Sequence, residues 1–119
     1  MTDTNDDRSL MTAGFELDRL EAELSAARRL YHEFLRVPTL SAGLYVIEAG
    51  GADPQQPHRE DEIYVVINGR GRLRMGAEDI PVGPGSIAFV ASGVEHRFHD
   101  ITERLAIVVM FAPPETAGT

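Results

Sequence analysis

Gly50-Gly-Ala-Asp-Pro-Gln-Gln-Pro-His58-Arg-Glu-Asp-Glu62-Ile-Tyr-Val-Val-Ile-Asn-Gly69 and, further along, Gly85-Ser-Ile-Ala-Phe-Val-Ala-Ser-Gly-Val-Glu-His96-Arg-Phe-His-Asp100 decide how this chain is read. They are β-rich runs punctuated by glycine and proline, and they hold three of the four histidines, two of them at ligand spacings. In a strand, residues two apart share a face. Gln56 therefore points with His58, Glu62 with Tyr64, and His96 with Phe98, leaving Arg97 and His99 on the opposite side. If the sheet curls closed, Gln56, His58, Glu62 and His96 converge on its interior. Two imidazoles and a carboxylate form a facial set that suits a divalent transition metal and leaves positions open, with the Gln56 amide oxygen as a weaker fourth donor.

Outward from these stretches the pattern stays that of an all-β domain. Leu17, Leu20, Leu24, Ala27 and Tyr31 recur in steps of three and four among charged residues, which predicts one amphipathic helix over 16–29 packed on a sheet. His32 follows as a solvated residue at the helix end. Strands are expected at Phe34–Val37, Gly43–Ala49, Glu62–Ile67, Arg72–Met75, Asp79–Val82, Ile87–Val90, Val94–His99 and Arg104–Phe111. The Asp79–Val82 segment reads as an edge, and the nearly continuous apolar run at Arg104–Phe111 as buried on both faces. Asn68-Gly69-Arg70-Gly71 carries the chemistry of a hairpin turn. Arg72 and Arg74 alternate onto the outer face, Glu60 and Asp61 read as solvated loop (with Glu60 a further carboxylate in reach of the ligand set if the chain twists there), and Phe89 and Phe98 as pocket lining. Many short strands between Gly/Pro turns point to an antiparallel sandwich or barrel from about residue 34 to 112. Residues 1–14 form a polar, acidic, disordered tail, and 15–119 a single domain.

Composition removes whole classes of function. A net charge of −8 opposes binding to nucleic-acid phosphates. All 11 basic residues are arginines. Without lysine there is no Schiff-base or pyridoxal phosphate chemistry, and with no cysteine there is no thiol nucleophile, thiolate zinc site or disulfide. No apolar run approaches a membrane span and no signal core opens the chain, so a cytoplasmic location is expected. No phosphate loop, dinucleotide fingerprint or nucleophile elbow is present.

The two stretches together resemble the cupin superfamily. Its first motif runs Gly, five residues, His, any residue, His, three or four residues, Glu, six residues, Gly. Gly50, His58, Glu62 and Gly69 fall on those spacings, with Gln56 where the first histidine stands. The second motif runs Gly, five residues, Pro, any residue, Gly, two residues, His, three residues, Asn. Gly85, Gly93 and His96 match it, while Ala91 and Asp100 replace the proline and asparagine.

The resemblance implies a double-sheet jelly-roll barrel over roughly residues 40–112. It also implies one divalent metal (Fe, Mn, Ni or Zn) on His58, Glu62 and His96, with Gln56 as the weaker ligand. A small-molecule metalloenzyme of oxygenase or isomerase type is expected, with Tyr64 as acid or substrate-orienting hydroxyl. The alternatives are a non-catalytic ligand-binding module, which the missing first histidine favours, and a dimerisation module. Small barrels of this kind leave an apolar face or edge, so a homodimer is expected, with no nucleic-acid or membrane partner.

Overall fold

A computed structural model of the protein describes residues 12–54 and 59–116. One helix, α1 (Leu17–Ala27), precedes six strands: β1 (Tyr31–Val37), β2 (Leu40–Ile47), β3 (Asp61–Met75), β4 (Glu78–Val82), β5 (Ile87–Val90) and β6 (His96–Ala112). All pairings are antiparallel. The order is β1-β2-β6-β3-β4, with β5 beside β3. This is the all-β jelly-roll architecture with one N-terminal helix. No helix among the described residues is long and apolar enough to cross a membrane.

Period-two patterning separates two cores. Leu105, Ile107, Val109 and Phe111 of β6 face the interior with Tyr45, Ile47, Tyr64, Val66, Leu73 and Phe98. Ala106, on the alternate face, packs with Leu44 and Val46 under Leu20 and Leu24 of α1. The apolar run at the end of the chain is thus buried on both faces, as its composition requires. The helix is shorter than its periodicity predicts and ends at Arg28, which takes a left-handed conformation at φ 54°. His32 lies not at the helix end but on β1, its Nε2 2.9 Å from Glu23 Oε1.

The main departure concerns Asn68–Gly71. Instead of turning, the chain runs through it, so Asp61–Met75 is one strand of 15 residues. Likewise the expected strands at Val94–His99 and Arg104–Phe111 merge into one of 17 residues. The local signal was a real one, but it encodes bulges. Register against β6 shifts between Val66 and Asn68, Asn68 and Arg70, and Arg70 and Arg72. Gly69 sits there at φ +94°, so close to β6 that a Cβ would lie 2.0 Å from the carbonyl oxygen of Arg104. Opposite this region, Asp100 takes φ 49°. Bulges bend a ribbon and increase its twist.

The bend makes the site possible. Glu62 pairs with Phe111 and Met75 with His96, so Glu62 and His96 belong to opposite ends of the β3–β6 ribbon. A straight strand would hold Glu62 and Met75 about 40 Å apart at the usual rise per residue. Folded at its bulges, the ribbon returns on itself. β5 completes the approach: Val90 lies opposite Glu62, and the turn after it is pinned by Ser92 N donating to Asp61 Oδ1 at 2.8 Å.

On the outer face, Arg72 and Arg74 lie with His99 around Asp79, at 3.2, 3.3 and 2.9 Å. The hydrogen bond from His99 is the main cause holding the Asp79 carboxyl below its usual range. Phe89, expected inside, is 59% exposed. It shares an outward row with Ile63, its cross-strand partner. β5 instead buries Val90 and packs the partly buried Ala88 against the core.

Gly69→Ala should destabilise the protein by about 2 kcal/mol or more, because it adds backbone strain to a collision with β6. Gly50→Ala has a positive φ but open space around its Cβ, and should cost about 1 kcal/mol. Chemical denaturation of the two variants measures the difference.

Candidate metal centre in the barrel interior

Glu62 and His96 meet in the interior. Their side chains are each 1% exposed, and His96 Nε2 lies 3.1 Å from Glu62 Oε1. The other ring nitrogen fixes the chemistry. His96 Nδ1 lies 2.8 Å from the carbonyl oxygen of Val94, which can only accept, so Nδ1 carries a proton and donates it. In a neutral ring, Nε2 would then present a lone pair to a carboxylate oxygen. Two acceptors at 3.1 Å need a cation between or upon them: a proton on Nε2 or a metal ion.

Burial alone would lower the His96 pKa, but the Glu62 hydrogen bond, the Val94 carbonyl, and the charges of Glu62 and Asp53 reverse the sign, and the pKa is raised above 6.5. The donor set also fits a metal. Two ligands at 2.0–2.2 Å from an ion, at right angles to each other, stand about 3 Å apart. A ligating histidine usually donates its second nitrogen to a carbonyl or carboxylate, as His96 does.

Among the described residues no group of three or more histidines and carboxylates gathers at one point. Gln56 and His58, the other two expected ligands, lie outside the described residues. The segment that carries them is bracketed by two buried carboxylates that sequence reasoning missed or misread. Asp53 is 3% exposed. Its Oδ1 accepts from the Tyr45 hydroxyl at 2.5 Å, and its Oδ2 from the backbone N–H of Phe98 at 2.9 Å. Those two hydrogen bonds, from β2 and β6, tie the loop after Gly51 to the strand carrying His96. Burial and the Asp53 contact together push the Tyr45 hydroxyl pKa far up.

Glu60, expected in solvent, is 2% exposed, and its Oε2 accepts from Thr116 N at 3.2 Å. Glu60, Glu62 and Tyr64 are buried in alternation with Asp61 and Ile63, so the inward row begins earlier than the acidic composition indicated. Tyr64 is 1% exposed, with its ring 5.9 Å from that of His96 and 4.9 Å edge-on from that of Phe98. Phe98 is inside, as expected.

The His96–Glu62 pair makes stability depend on pH. Because the folded pKa is raised, the contribution is complete below the unfolded value near 6.5 and disappears as pH rises through the folded pKa. Metal-free protein should therefore lose stability from about pH 6.5 upward. His96→Gln should flatten that slope in denaturation curves recorded across the range. Added divalent metal should restore stability on the alkaline side, since a metal replaces the proton.

Comparison with known proteins agrees with this architecture. The family model described as "Cupin domain" matches residues 43–112. A Streptomyces coelicolor protein, described only as uncharacterised, is 46% identical over 102 residues, covering 86% of this chain and 97% of that protein. Among solved structures, a Bacillus halodurans protein superposes with a TM-score of 0.72 at 20% identity, covering 87% of this chain and 84% of its own. The DMSP lyase DddQ from Ruegeria pomeroyi superposes with a TM-score of 0.66 at 22% identity, covering 75% of this chain and 48% of its own. At such identities the structural matches speak to the fold. With its motif spacings, its strand topology and the family match over residues 43–112 in agreement, this chain belongs to the cupin family.

Proposed function

We propose that the protein is a divalent-metal cupin that binds a small molecule in its barrel and acts on it as a metalloenzyme. The observation that carries this reading is the His96–Glu62 contact. With Nδ1 committed to Val94, Nε2 faces a carboxylate oxygen at 3.1 Å in a buried interior, an arrangement that requires a cation. His58, Glu62 and His96 would hold the ion, with Gln56 as a weaker amide donor. When bound, the metal supplies Lewis acidity or redox chemistry of oxygenase or isomerase type. With no thiolate in the chain, softness does not select zinc over iron, manganese or nickel.

The protein groups have separable tasks. Val94 fixes the His96 tautomer, and Asp53 holds the entering loop against β6. Tyr64, whose ring lies inside beside that of His96, would orient a ligand or give up a proton. The same barrel serves as a non-catalytic binding module if Gln56 at the first ligand position leaves the metal too weakly held for turnover. A cysteine-free chain of this kind suits the reducing cytoplasm.

Metal analysis tests the reading directly. Wild-type protein purified without chelator, or incubated with Fe(II), Mn(II), Ni(II) or Zn(II), should hold one ion per chain. His58→Ala and His96→Ala should lose stoichiometric metal yet keep the folded circular-dichroism spectrum. Gln56→Ala should weaken binding modestly and Gln56→His should tighten it. Wild-type protein that stays metal-free in excess ion would overturn the metal centre.

We also infer a homodimer. Ile87 and Phe89 on β5, 70% and 59% exposed, join Ile63 at 40% in an apolar row beside the helix-covered face. Burying such a row against a second copy removes it from water. Sedimentation at micromolar concentration should give a dimer, and Ile87→Glu with Phe89→Glu a folded monomer.

A further inference from the structure

Where the first turns of α1 face β1, a cleft of about 390 Å³ opens on the outside of the barrel. Phe15, Glu16, Arg19 and Glu23 line it from the helix side, and His32, Glu33 and Phe34 from the strand. It borders the outer core, to which Leu20 and Phe34 belong, and not the inner core beside His96.

The strand is irregular where it forms this wall. Side chains of a regular strand alternate, so three consecutive residues do not share one face. Here the register against β2 breaks between Glu33 and Leu35, leaving Phe34 as an extra residue. Such bulges re-aim side chains. Phe34 stacks on Phe15 with ring centroids 4.7 Å apart, yet Phe15 stays 43% exposed. The pair is an apolar end wall still open to water.

On the helix, Glu16, Arg19 and Glu23 stand at i, i+3 and i+7, along one face. Their charges are committed unequally. Glu23 Oε1 lies 2.9 Å from His32 Nε2, a bridge from helix to strand. Across the cleft Glu33 accepts twice from the Arg36 guanidinium, both times at 3.0 Å. Glu16 holds the cap position without a side-chain cap bond. Among the described residues neither the Glu16 nor the Arg19 side chain has an ion-pair partner. Residues three apart on a helix have Cβ atoms about 5–6 Å apart. That is within reach of the two charged groups of one α-amino acid. A simple amine is attracted by Glu16 and repelled by Arg19, a simple carboxylate the reverse, whereas a zwitterion is favoured by both.

We propose that the cleft between α1 and β1 is a second ligand site, taking a free amino acid with an apolar side chain. Its ammonium meets Glu16, its carboxylate meets Arg19, and its side chain covers Phe15 and Phe34. The Glu23–His32 bridge holds the two walls together. This site is independent of the barrel interior and of any metal there.

The test titrates full-length, nitrogen-15-labelled protein with L-phenylalanine, phenethylamine and 3-phenylpropionate, which share a ring and differ in charge. L-Phenylalanine should saturably shift the amides of residues 14–19 and 32–34. It should bind roughly fivefold more tightly than either singly charged analogue, the size of one partly screened ion pair. Arg19→Gln should erase its advantage over phenethylamine, and Glu16→Gln its advantage over 3-phenylpropionate. Both side chains are exposed, so both variants should keep the folded circular-dichroism spectrum. A merely structural role for either residue would not produce that crossed pattern. Phe15→Ala should weaken all three ligands.

No saturable shift at these amides would overturn the proposal. So would an analogue that binds as tightly as L-phenylalanine, or variants that lose all three ligands equally. Shifts centred on Tyr64 and His96 would put the ligand in the barrel and overturn this site as well.

Discussion

The antiparallel pairing of β3 with β6, bent at its bulges, is the constraint on which the rest of the molecule depends. The two strands are each long enough to serve both halves of the barrel, so they are its spine, and β2, β4 and β5 attach to them. Straight, the ribbon would place Glu62 and His96 at opposite ends. Bent at Gly69 and Asp100, it makes them neighbours at 3.1 Å. The bend needs a residue without a side chain where β3 crosses closest to Arg104, and Gly69 meets that need. The fold and the site therefore share one backbone feature.

Around this spine the interior holds buried acidic groups. Asp53, Glu60 and Glu62 are all buried. Each is handled differently. Asp53 is satisfied by a hydroxyl and a backbone N–H, which makes it a fastener between loop and strand. Glu62 meets the His96 ring. Among the described residues Glu60 is bonded through one oxygen only. Desolvating a carboxylate is expensive unless hydrogen bonds or a counter-charge offset the cost. The three carboxylates are thus met by different groups: a hydroxyl and two backbone N–H groups for Asp53 and Glu60, and an imidazole for Glu62.

The outer surface divides just as sharply. α1 covers the face formed by Leu44, Val46 and Ala106, whereas β5 leaves Ile87 and Phe89 open. On the same strand Val90 is buried opposite Glu62. One short strand therefore contributes to the wall of the site with one face and offers an apolar surface with the other.

By itself the sequence determined the strand-rich architecture, the helix stripe of Leu17, Leu20 and Leu24, and the motif spacings at which Glu62 and His96 stand. Side-chain period and motif spacing are local properties, readable without knowing what lies opposite. Asn68-Gly69 could not be read correctly that way. A glycine at positive φ serves a hairpin turn and a bulge equally well, and only a partner strand running unbroken past it decides between them. Phe89 was misassigned because a four-residue strand gives too short an alternation to tell its faces apart. Asp53 and Glu60 were illegible for a deeper reason. Whether a polar side chain is buried, and whether its oxygens are met, depends on groups 8 to 56 positions away: Tyr45 and Phe98 for Asp53, Thr116 for Glu60. Such pairings exist only once the tertiary structure has assembled them.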